Sequence, residues 1–272
     1  MSRQRSRWAA ESAGILASLL VVLPLFFVVV NSFKDKAGAA AMSLALPKKW
    51  YFLDNYSEMI DAGGVLTGLK NSAIVTFITV AALVILSSMT AFTLQRKNTR
   101  MSGLLYLLVL LGLMIPLQII PAYFVTYYLH VQTYLAAIVM LVVTNFSFGT
   151  FLYTGFFKSI PREIDESAIM DGVGPYGLFF SIIFPLLRPV TVTLIIIAFM
   201  GVWNDFGITI YFLNSPRNFT VTLTIFNFLG TYSSDWNLIF ANVVLVSAPV
   251  VLVYLLLQRH IIDGMTAGSV KG

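Results

Sequence analysis

The sequence predicts an all-α integral membrane protein that crosses the bilayer six times. Three observations carry that prediction. Of the 272 residues, 58% are hydrophobic and only 11% are charged, against about 25% charged in a soluble globular domain. The apolar residues gather into runs near the roughly 20-residue length that a helix needs to cross hydrocarbon. The 17 basic residues lie mostly at the ends of those runs, where they read as topology signals and not as a nucleic-acid patch.

The expected spans are 13–31, 71–94, 103–127, 134–156, 190–212 and 238–257. The first follows Arg3, Arg5 and Arg7. Its apolar run is long and no small-residue cleavage site follows closely, so it reads as a retained signal anchor. With the N-terminus inside, six crossings return the C-terminus inside. Eleven basic residues then fall on the inner side and six on the outer, in keeping with the positive-inside rule. The bias is sharpest at "QRKNTR", 95–100. The chain thus divides into a cytoplasmic tail, 1–12, a six-span region, 13–257, with a cytoplasmic loop at 158–189, and a second cytoplasmic tail, 258–272.

Three connections are too long to be simple turns. Outer residues 32–70 contain "LDNYSEMI", 53–60, where Asp54 or Asn55 is expected to cap a short surface helix. Outer residues 213–237 contain "FTVTLTIF", 219–226, whose alternation suits a strand or an interfacial segment. The third connection, 158–189, opens with four acids in nine residues, 163–171. Pro161 suits a first turn, and Glu163, Asp165 and Glu166 favour a helix N-terminus. Ile160, Ile164 and Ala168 recur at helical spacing. Gly172 can take the left-handed conformation that ends a helix. A second short helix, 176–184, meets Pro185, and Pro185 and Pro189 break the ladder where the chain re-enters the membrane. An acidic run also suits a solvated loop. The glycine stop, the small Ala168 and the two prolines suit a stiff helix–turn–helix projection with a small-residue face, fit to dock in a groove on a soluble partner.

Polar residues inside spans cost about 2.5–3.5 kcal/mol for a central Asp and are functional candidates. Gly201, Asn204, Asp205 and Thr209 fall on one broad face of the fifth expected span, with Trp203 beside them. Asp205 is read either as a substrate contact or as a group that holds helices together. Asn145, Gly149 and Tyr153 repeat every four residues in the fourth span and suit helix packing. "IPLQIIP", 115–121, brackets Gln118 with prolines, and broken helices at membrane depth often line a cavity. Cysteine is absent and the two histidines, His130 and His260, lie far apart, so neither thiol chemistry nor a histidine-based metal site is expected. No G-x-x-x-x-G-K run occurs, so the chain has no phosphate-cradling loop of its own. An ion-coupled transporter would need several buried ionisable residues, and only Asp205 qualifies. An intramembrane enzyme would need a Ser–His pair or clustered His and Asp, and neither is present.

The stretch Glu166, Ser167, Ala168, Asp171, Gly172, Phe179, Ile182, Phe184 and Pro185 resembles the EAA signature of ABC importer permeases. It departs at Ser167, Val173 and Phe184, where small or apolar residues stay small or apolar. The tail "DGMTAGSVKG", 263–272, together with "NSF", 31–33, "LDNY", 53–56, and "VWNDF", 202–206, resembles the second permease subunit of the maltose-type carbohydrate importers. The resemblance implies a bacterial or archaeal inner-membrane location and a coupling helix between spans four and five. Glu163, Glu166, Ser167, Ala168, Asp171, Gly172 and Pro185 are the expected ATPase-coupling residues. Gln118, Asn145, Trp203, Asn204 and Asp205 are the candidates for the substrate path. It implies a heterodimer with a related permease, two copies of an ABC ATPase and an extracytoplasmic sugar-binding protein. No cofactor is expected in this chain, ATP and Mg being bound by the ATPase, and the chain's own part is mechanical.

Overall fold

The computed structural model describes residues 2–97, 99–131, 133–230 and 234–267, with the backbone alone in residues 2–7, 9, 10, 13 and 257–267. The end of the tail motif, 268–272, lies outside the described residues. Every regular element among those described is helical. In order they are α1 (Ser2–Ser32), α2 (Lys36–Ala40), α3 (Phe52–Ala62), α4 (Val65–Lys97), α5 (Arg100–Met114), α6 (Ile119–Tyr128) and α7 (Thr133–Phe157). Then come α8 (Glu163–Met170), α9 (Pro175–Leu186), α10 (Arg188–Trp203), α11 (Gly207–Phe212), a 3-10 turn at Leu223–Phe228, and α12 (Trp236–Ala267). The middle of α9, Leu178–Ile183, is wound as a π-helix.

Four stretches are long and apolar enough to cross a membrane: Gly14–Ser32, Val65–Lys97, Thr133–Phe157 and Trp236–Leu256. The number reaches six when two bent pairs, α5 with α6 and α9 with α10, each count as one crossing. The third expected span, 103–127, is therefore not one helix: α5 and α6 meet at 115°. Pro116 explains the break, since it lacks an N–H and pushes Ile115 into an extended conformation, φ −88°, ψ 115°. The fifth expected span, 190–212, is also interrupted, at residues 204–206. Only 11% of the first span is buried, so its apolar surface is left for lipid or a neighbouring subunit.

The chain forms two compact units, Met1–Gly68 with Val221–Pro249, and Leu69–Thr220 with Val250–Gly272. The first is tied by buried polar groups. Asn55 does not cap α3, which begins three residues earlier at Phe52 with Tyr51 before it. Instead Asn55 is buried, and its Nδ2 donates to the carbonyls of Ser32 and Lys34, both at 2.8 Å. Its Oδ1 accepts from Asn237 Nδ2 at 2.8 Å. One amide thus joins the end of α1, the third helix and the start of α12. Lys34 is buried beside it, donating to Asn31 Oδ1 at 2.9 Å and to the Ser43 carbonyl at 2.7 Å. These neutral acceptors do not offset its burial, which pushes the ammonium pKa down. The segment 219–226 is not a strand. Val221, Leu223 and Thr224 are buried in the 3-10 turn and its approach, and Thr224 Oγ1 accepts from Asn242 Nδ2 at 2.8 Å.

In the second unit, Leu83 and Ala91 of α4, Tyr153 and Phe157 of α7, Ile183 of α9 and Leu194 of α10 share one buried cluster. Gly149 lets α4 and α7 approach: a Cβ there would lie 2.6 Å from Ser87 Oγ. Tyr153 is fully buried with its hydroxyl 2.8 Å from Thr191 Oγ1, so it links α7 to α10 in the same way. The four-residue repeat 145–149–153 is thereby a packing stripe.

Asn55→Ala leaves two buried carbonyls and the Asn237 amide without this partner. It should lower stability by about 2–4 kcal/mol, measured as a fall in the thermal unfolding midpoint of the detergent-solubilised protein.

Candidate functional site

The loop between α7 and α10 is ordered throughout. The helix α8 runs for eight residues, about two turns, with Glu163, Asp165 and Glu166 in its first turn, where the helix dipole favours acids. Pro161 lies just before the N-cap residue, Arg162, and not within the first turn as its preference suggested. The helix ends as its sequence predicts. Gly172 has φ +80°, its N–H donates to the Ile169 carbonyl, and the Val173 N–H donates to the Ala168 carbonyl, each at 3.0 Å. This pair of bonds around a left-handed residue is the Schellman arrangement. A Cβ at Gly172 would meet nothing within 4 Å, so backbone conformation alone calls for glycine.

Two opposite faces separate along α8. Ile160 before it and Ala168 within it are buried with Phe157, Leu178 and Leu187, and Ile164 and Val173 pack against the same cluster. The small-residue face thus packs against its own chain, and does not form an outward docking face. Glu163, Glu166, Ser167, Ile169, Met170 and Asp171 are exposed. Ile169 is 61% and Met170 84% exposed, large apolar side chains at the tip of a polar loop. Ser167 is held by its Oγ, which donates to the Glu163 carbonyl at 2.5 Å. Beyond the turn, α9 leads back, and the chain bends by 76° at Leu187, between Pro185 and Pro189.

Asp165 is the acid that turns inward, and sequence reasoning left it unassigned. Arg96, in the last turn of α4, meets it with Nε 2.5 Å from Oδ2 and with Nη2 donating to Oδ1 at 3.1 Å. Both side chains are largely buried, at 14% and 12% exposure. The Arg96 guanidinium also lies 5.7 Å from the centre of the Phe157 ring and 3.5 Å from the Ile160 carbonyl. Arg162 reaches the other way and donates to the Gln95 carbonyl at 3.1 Å. The signal was present in the sequence: Asp165 is one residue from the Ile164–Ala168 stripe, and "QRK" ends the neighbouring span.

The candidate path residues do not converge. Gln118 stands at the α5–α6 break and lines a cavity of about 870 Å³ with Thr90, Gly112, Thr144 and Ser147. Asn145 donates to the Leu141 carbonyl of its own helix at 2.8 Å. Trp203 is buried and stacks on Phe199, ring centres 5.5 Å apart, in the wall of an apolar groove. Asn204 donates to the Met200 carbonyl at 2.9 Å. Asp205 caps α11: its Oδ1 accepts from the N–H of Ile208 at 3.1 Å and of Thr209 at 2.9 Å. Because the helix breaks here, residues 201, 204, 205 and 209 do not share one helical face as expected. Among the described residues no group of three or more His, Cys, Asp or Glu is placed to hold a metal.

A multi-pass helical membrane protein with a stiff, core-packed projection between its spans is the class that fold and loop define. The chain belongs to the family described as the binding-protein-dependent transport system inner membrane component, whose family model matches residues 83–267. Members are the transmembrane permease part of ABC importers, and ATP hydrolysis falls to separate subunits. The chain is 35% identical over 260 residues to the probable starch degradation products transport system permease protein AmyC of Thermoanaerobacterium thermosulfurigenes, covering 95% of this chain and 94% of that one. It is 30% identical to the melibiose/raffinose/stachyose import permease protein MelC of Bacillus subtilis, over 92% and 91% of the two chains. Its fold matches a chain of the crystal structure of a bacterial ABC transporter involved in the import of the acidic polysaccharide alginate. There the TM-score is 0.80 at 18% identity, covering 94% and 96% of the two chains.

Gly172→Ala should weaken the α8 stop by about 1–2 kcal/mol. Gly172→Pro should cost about 3 kcal/mol or more, because φ cannot reach its native value and the N–H to Ile169 is lost; limited proteolysis at 170–176 reads both. Asp205→Asn keeps an acceptor for the α11 amides and should retain the native unfolding midpoint. Asp205→Ala should lose about 1 kcal/mol, read by the same thermal measurement.

Proposed function

We propose that this chain is one permease subunit of an ATP-driven importer for a sugar or oligosaccharide. It forms half of the translocation path with a related permease. Two copies of an ABC ATPase sit at the inner face, and an extracytoplasmic sugar-binding protein delivers the solute. The location is a bacterial or archaeal inner membrane with both termini cytoplasmic, which places 158–189 on the ATPase side. The substrate class rests on relatives named for starch products and for melibiose, raffinose and stachyose. The path residues are Gln118, Asn145, Trp203, Asn204 and Asp205. Of these Gln118 has the best claim, because it opens into the largest cavity beside Thr144 and Ser147.

The observation that carries this reading is the division of faces on α8. Its inner face is anchored to the core, while Glu166, Ser167, Ile169 and Met170 point outward from it. Exposed apolar side chains at the tip of a short polar helix suit insertion into a cleft of a soluble protein. In that reading Ala168 and Pro185 hold the projection's shape, Gly172 permits its turn, and Glu163, Glu166 and Asp171 rim the contact. Closure of the ATPases on ATP then moves the seated helix, and the helices fixed to it follow as a rigid body.

Gentle purification of this subunit from its native membrane should bring with it an ATP-hydrolysing subunit and a second permease. Gly172→Pro should remain in the membrane while sugar uptake is lost. Purification without an ATPase, or normal uptake by Gly172→Pro, would overturn the assignment of the 163–174 helix.

A further inference from the structure

We infer that the Arg96–Asp165 ion pair is the joint that makes α8 move as one body with the end of α4, so that Arg96 is a positioning residue for transport. The inference rests on the coupling role just given to α8, and adds the path by which motion leaves it.

The attachments of α8 differ in kind. Ile164, Ala168 and the flanking Ile160 and Val173 make apolar contacts with the cluster, and such contacts allow a helix to slide or roll because they are non-directional. The Arg96 fork does not. It meets both carboxylate oxygens of Asp165, and a two-point contact between planar groups fixes rotation as well as distance. The same guanidinium faces the Phe157 ring at the end of α7 and the Ile160 carbonyl. One side chain therefore gathers the ends of α4 and α7 and the start of the projection. Arg162 to the Gln95 carbonyl is a second, reciprocal strap between the same two segments.

Stability alone does not account for a pair placed here. Desolvating two charges offsets most of their attraction, and an apolar pair of similar size would hold the fold as well. Directional geometry is what the ion pair adds. The other acids of the loop, Glu163, Glu166 and Asp171, are exposed, so Asp165 is set apart from them by its surroundings and not by its chemistry.

The chain has no cysteine, so Lys97→Cys and Glu163→Cys can carry a pair of spin labels, one on each side of the joint, in the complete complex. With Arg96 and Asp165 intact, the label distance should stay within about 2 Å when Mg-ATP is added. With Arg96→Gln it should change by about one helical turn, ~5 Å. Arg96→Lys keeps the charge but loses the fork and should fall between. The exchange Arg96→Asp with Asp165→Arg should restore a nucleotide-independent distance. A native-pair distance that shifts with ATP, or an Arg96→Gln complex that keeps a fixed distance, overturns the joint. The native-pair measurement needs no change at 96 or 165, so it decides the matter even where single variants fail to assemble. A complex with no ATP response at all would overturn the coupling role itself. An ATP response in which the native distance moves overturns the joint alone.

Discussion

A backbone amide in hydrocarbon has no water to turn to, so each departure from continuous helix must be satisfied from within the chain. That constraint organises the second unit. At 115–118 the break is made at Pro116, which brings no N–H, while the Ile115 N–H still donates to the Leu111 carbonyl and Ala122 to Gln118, both at 3.1 Å. At Leu187 the N–H is shared between the Ile183 and Phe184 carbonyls, at 3.2 and 3.1 Å, and the Leu187 carbonyl accepts from Thr191 at 2.9 Å. At 204–206 the Asp205 carboxylate takes up two amides at the start of α11. The same carboxylate that is costly in a continuous span becomes a structural acceptor once the span is broken.

The loop between α7 and α10 follows different physics. It is short, polar and rimmed with acids, yet it is no less determined than the spans. Its glycine stop is closed by two backbone hydrogen bonds, its inner face belongs to the main cluster, and its one buried carboxylate is met by an arginine from the neighbouring span. Little of α8 is free to adjust by itself. A force applied at Met170 is therefore transmitted, not absorbed, which is the property a mechanical subunit without chemistry of its own requires.

Features that depend on local chemistry were legible in the sequence. The proline-bracketed Gln118, the stop at Gly172, the stripe Ile160–Ile164–Ala168 and the bend between Pro185 and Pro189 all appear where spacing and residue type placed them. Features that depend on distant partners were not. Asn55 has the composition of a helix cap, and only the carbonyls of Ser32 and Lys34 make it a buried tie. Threonine alternation at 219–226 mimics a strand, but burial of Val221 and Leu223 selects a turn. Asp165 looked like one acid among four until Arg96, far away in sequence, distinguished it. Apolar length also hides kinks, so the third and fifth spans read as continuous although each is broken.

The π-wound segment Leu178–Ile183 has a consequence for the orientation of the whole projection. A π turn holds one residue more than an α turn would need, and each α-helical residue advances the chain by roughly 100°. Removing a single residue from this segment would let it relax to α winding, and would swing Ile169 and Met170 around the helix axis by about that angle. Azimuth, and not reach, is thus what this loop encodes most finely, and a one-codon deletion here would aim the same surface at a different quadrant.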